Sequence, residues 1–242
     1  MDTDLIAGKY ILMPQAQTYA LGVEALRAEK VARPFTFKEN LQVLVDVYSE
    51  VYGLFRELSE DPQQYVDRWS RLAVEAVARR KLSDWGFGEE TLLPSCTGIA
   101  YKAGSTKFKI IPHCAELAGI DKDFSQHFLP INYSCIAGIE LDSSDISSDQ
   151  YGFLLTPDEI INHPAWLAAV EGDKQLLERY TDVVFKTHAQ LYGSRTKLMS
   201  FSIEKNRSTD ELRALSVVSL EDDSSTCGRF CLHTLCSFFR SE

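Results

Sequence analysis

Three features of the sequence predict an α+β fold. Apolar residues recur at helical spacing over roughly the first 90 positions, the middle is irregular and cut by Gly, Pro and Ser, and a two-residue alternation sets in near the C-terminus. The expected order is a helical N-terminal part, a mixed middle, a long helix and then a C-terminal antiparallel β-meander. Alternating βα units, which would signal a parallel sheet, do not occur.

Tyr10 to Met13, stopped by Pro14, predict a short strand, and Ala16 to Lys30 a helix through Tyr19, Val23 and Leu26. Thr36 and Glu39 form a capping box, in which each side chain can take a free backbone N–H of the first turn. Behind it Leu41, Leu44, Val45, Tyr48, Val51, Tyr52, Phe55 and Leu58 predict an amphipathic helix of about 22 residues with one buried stripe. Asp61-Pro62 opens another helix, which carries Tyr65, Trp69, Leu72, Ala73 and Ala76 on one face and stops near Leu82. At these spacings an aromatic and aliphatic face reads as packed core rather than as the lining of a ligand cavity. The basic run Arg79-Arg80-Lys81 reads as a solvated helix end, with Glu75 and Arg79 an i,i+4 pair.

Strand-like pieces follow at Ile99 to Tyr101, Lys107 to Ile111 and Cys135 to Leu141, and the Asp- and Ser-rich run from Asp142 to Asp149 reads as an exposed loop. A second capping box with proline at the first position, Thr156-Pro157-Asp158-Glu159, restarts the helices, and the chain starts again at Asn162-His163-Pro164. Leu176 to Leu191 predict a long helix that ends at Gly193. In the last fifty residues Met199, Phe201 and Ile203 alternate with polar neighbours, and Leu212 to Leu220 and Phe230 to Phe239 read as two further strands. Ser208 to Glu211 also match a capping box, but Val217-Val218 and the flanking alternation favour strand there. Residues 1–242 are expected to form a single compact domain, with a possible sub-boundary near 86–94 between a helical part and a mixed part.

Composition places the chain among soluble globular proteins, at 45% hydrophobic and 25% charged residues. Its net charge of −10 argues against nucleic acid as a partner, because phosphate contacts need clustered cations. Between Ile110 and Asp173 eleven acids face the single base Lys122, a local net of −10, which reads as a solubilising surface that could also attract a cation or a basic partner. The acidic start and the lack of a long apolar run predict no membrane span and a cytoplasmic location. Six cysteines are too few for a disulfide scaffold at this length and fit buried thiols in a reducing compartment.

Candidate chemistry is confined to cysteine and histidine. Cys227, Cys231, His233 and Cys236 lie within ten residues and are the nearest approach to a zinc site. On a strand, however, Cys231 and His233 share one face while Cys236 takes the other, so structural thiols are favoured and no cofactor is expected. Cys114, beside His113 and in a region that also holds Cys96, His127 and Cys135, is a candidate nucleophile with Cys231 and His233, if a base can reach it. Adjacent His113 and Cys114 on an extended segment point opposite ways. Gly98 to Lys107 fail the phosphate-loop spacing, and Asp142, Asp145 and Asp149 lack the order of a calcium loop. With every catalytic template unmatched, the chain reads as a non-catalytic module that binds a protein partner or a small apolar ligand. The alternative is an enzyme or redox protein built on the Cys/His residues.

Overall fold

A computed structural model describes residues 6–60, 68–85, 91–120, 128–143, 154–198, 201, 203, 207–219 and 237–241. In order the elements are β1 (Tyr10–Leu12), α1 (Tyr19–Ala28), α2 (Phe37–Glu60), α3 (Arg68–Asp84), β2 (Thr91–Tyr101), β3 (Lys107–Ile111), α4 (Ala115–Ala118), β4 (Leu129–Pro130), β5 (Ile139–Asp142), α5 (Pro157–Asn162), α6 (Pro164–Ala169), α7 (Lys174–Tyr192), β6 (Glu211–Ser219) and β7 (Phe239–Ser241). The fold is α+β. β4-β6-β2-β3-β5 form an antiparallel sheet, and β1 pairs with β7 in a second, two-stranded one that joins the two ends of the chain.

The central strands β2 and β6 of the main sheet are buried on both faces. Period-2 alternation sends Leu93, Ile99, Tyr101, Leu215 and Val217 towards α2, α5, α6 and α7, and sends Leu92, Ala100, Leu212 and Ala214 towards α1 and α4. The first face is the larger core. The buried stripe of α2, from Phe37 through Leu41, Leu44, Val51 and Phe55, meets Leu177, Tyr180, Val184 and Leu191 of α7 there, together with the fully buried Trp166 of α6.

The caps expected from sequence hold these helices. Thr36 N–H donates to Glu39 Oε2 at 2.6 Å and Glu39 N–H donates to Thr36 Oγ1 at 3.2 Å, while Thr156 and Glu159 repeat the motif on α5. Asp173 caps α7, and Gly193 ends it at φ 92°, a conformation that a side chain would strain. In β2 three residues, Ser95, Cys96 and Thr97, stand opposite Leu215 alone. This wide bulge follows Pro94, which has no N–H to give the ladder, and its polar groups are used to anchor other elements. Cys96 N–H donates to Phe35 O at 2.9 Å, Phe37 N–H to Thr97 Oγ1 at 2.9 Å, and Tyr19 OH to Ser95 O at 3.0 Å. The bulge therefore ties α1, α2 and the connection between them to the centre of the sheet.

Several expectations are corrected. Of the C-terminal strands among the described residues, β6 lies between β4 and β2 and β7 pairs with β1, while the 220–236 stretch that would complete a meander lies outside the described residues. Alternation specifies which face is buried but not which neighbour covers the edge. Phe201 and Ile203 are buried but lie outside any strand, and Phe201 packs on His163 and Trp166; their neighbours Met199, Ser200, Ser202 and Glu204 lie outside the described residues. The piece expected as strand from Cys135 begins only at Ile139, after a 3-10 turn over Tyr133–Cys135. Arg71, rather than Arg79, pairs with Glu75. The start of α3 at Asp61-Pro62, most of the acidic loop and the residues 220–236 lie outside the described residues.

Candidate functional site

Cys114 is buried at the first turn of α4 and donates to Glu116 Oε2 at 3.3 Å. Burial pushes its thiol up to about 12, and the Glu116 carboxylate adds to this against the opposing backbone N–H groups of Leu117 and Glu116. The group is therefore a protonated thiol at neutral pH. His113 points away to solvent with Nε2 3.5 Å from Glu171 Oε1, as the alternation of an extended segment requires. Cys96 sits under Arg33, whose Nη1 lies 3.7 Å from its Sγ, and burial raises this thiol as well, while Cys135 is exposed. Cys227, Cys231, His233, Cys236 and His127 lie outside the described residues. Among the described residues no three His, Cys, Asp or Glu side chains are grouped to hold a metal.

Polar clusters do assemble at one end of the sheet, and they tie loops down. Glu211, 2% exposed, lies 2.9 Å through Oε1 from Nε of both Arg213 and Arg207, and Arg207 lies over the Tyr101 ring. Asp210 accepts from Ala103 N–H at 2.8 Å and Tyr133 N–H at 3.0 Å, and these donors hold its carboxyl below the usual range. On the opposite face Tyr133 OH donates to Glu140, Lys107 Nζ donates to the same carboxylate, and Lys109 lies over the Tyr133 ring while bonding Tyr133 O and Ile136 O. The Asp210, Tyr133–Glu140 and Lys109 contacts fasten the 128–138 segment or the 102–106 turn to β3, β5 or the start of β6. The sequence reading missed this network. Its one available signal was Glu211 and Arg213, two apart and hence on one face of an otherwise apolar strand.

Among the described residues, Trp166 Nε1 and His163 Nδ1 of the helical layer are buried without a hydrogen-bond partner. His163, at the joint between α5 and α6, stacks on Phe201 at 5.9 Å, and burial lowers its imidazole to about 4.

The feature that stands out as a binding surface is on α3. The sequence placed Leu72, Ala73 and Ala76 on an inward face, and the structure turns that face outward. α3 buries Ala78 and Leu82 instead, because its far side is fastened to α2 and α7: Lys81 pairs with Glu50, and Arg79 donates to Leu191 O and lies 4.4 Å from the Tyr192 ring centroid. At 100° per residue, Leu72, Ala73, Ala76 and Val77 then form one solvent-facing strip, with Leu72 44% and Val77 50% exposed. The other exposed large apolar side chains among the described residues, Leu21, Ile139 and Leu154, come singly from separate places in the fold.

Comparison with known proteins bears on the fold. No family model matches the chain, and no curated protein matches it. A solved structure described under "Accommodation of massive sequence variation in Nanoarchaeota by the C-type lectin fold" is similar, with a TM-score of 0.53 at 10% identity over 94% of this chain and 95% of that one. At that identity the likeness is one of fold alone. No helix among the described residues is long and apolar enough to cross a membrane.

Proposed function

We propose that this chain, with its C-type-lectin-like architecture, is a non-catalytic binding protein of the cytoplasm, and that it engages a protein partner through the outward face of α3. The carrying observation is the strip Leu72, Ala73, Ala76 and Val77, two large apolar side chains about half exposed on a helix that is firmly anchored by its other side. Such a contiguous patch on a rigid element is what interfaces use, whereas isolated exposed apolar residues need no explanation. The free thiols of Cys96, Cys114 and Cys135 suit a reducing compartment. The raised Cys114 thiol, with His113 turned away from it, weighs against the Cys/His enzyme reading.

The test is a photo-crosslinking amino acid placed at Ala76 in the full chain, in the cells that make it. A discrete adduct is expected from Ala76. It should be lost when Leu72→Asp and Val77→Asp are added, and should not form from a crosslinker at the exposed Glu178 of α7. Equal adducts from both positions, or none from Ala76, would refute the reading.

A further inference from the structure

We draw no further inference here: the strongest candidate, the exposed apolar strip of Leu72, Ala73, Ala76 and Val77 along α3, is the binding surface already described, and nothing in the structure shows what covers it.

Discussion

Acidification should destabilise the fold through His163, and the size of the effect follows from where that ring sits. Burial lowers its imidazole from the ordinary 6.5 to about 4, and its Nδ1 has no partner that could stabilise a positive charge. Between those two pH values the unfolded chain binds a proton that the folded chain refuses. Stability is therefore fully present above pH 6.5, falls as the pH drops towards 4, and changes no further from this group below that. A gap of about 2.5 units corresponds to an upper bound of about 3 kcal/mol. The ring is only half-buried, so solvent screening brings the expected loss nearer 2 kcal/mol. The assay is urea unfolding at several pH values from 7 to 4 on the natural chain and on His163→Phe, which keeps the stack on Phe201. Carboxylates and the other four histidines titrate in both proteins, so the difference between the two curves isolates His163. That difference should grow by about 2 kcal/mol on acidification. Parallel curves, or an imidazole resonance that titrates near 6.5, would refute the reasoning.

Further outcomes follow from packing and burial. A methyl group at Gly138 would lie 2.9 Å from the backbone oxygen of Ile110, which cannot move aside, so Gly138→Ala should lower stability by about 1–3 kcal/mol in urea unfolding. Gly53→Ala, with open space around it inside α2, should raise stability by about 0.5–1 kcal/mol in the same assay. Glu211→Ala strips Arg207 and Arg213 of a shared buried carboxylate and should cost about 3–5 kcal/mol, read as a lowered thermal midpoint. Cys135 should react with a thiol reagent within seconds to minutes while Cys96 and Cys114 resist until unfolding, as mapped by peptide mass spectrometry.

The local elements were legible because their causes are local. The boxes at Thr36 and Thr156, the glycine after α7 and the alternation of Lys107–Ile111 each satisfy backbone groups or sort apolar side chains within a few residues. Strand at Glu211–Ser219 prevailed over a rival capping-box reading because the run is buried on both faces, and Val217 and Leu215 suit that setting. The candidate site was half legible. The strip of Leu72, Ala73 and Ala76 was visible as one helical face, yet periodicity carries no sign for in or out. A helix with apolar residues on two faces is oriented by whichever contacts are stronger, here Ala78, Leu82, Arg79 and Lys81 against α2 and α7.

By itself the sequence determined the α+β class, the order of helices and strands, the principal caps and the identity of most residues in the main core. Those follow from backbone hydrogen bonding and hydrophobic periodicity, which act over one or two turns. Only the tertiary structure decided that β6 inserts between β4 and β2, that β1 pairs with β7, and that α3 shows solvent an apolar face. Each of these depends on contacts between segments tens to hundreds of residues apart, whose energies are comparable to those of their alternatives and leave no periodic trace in the chain.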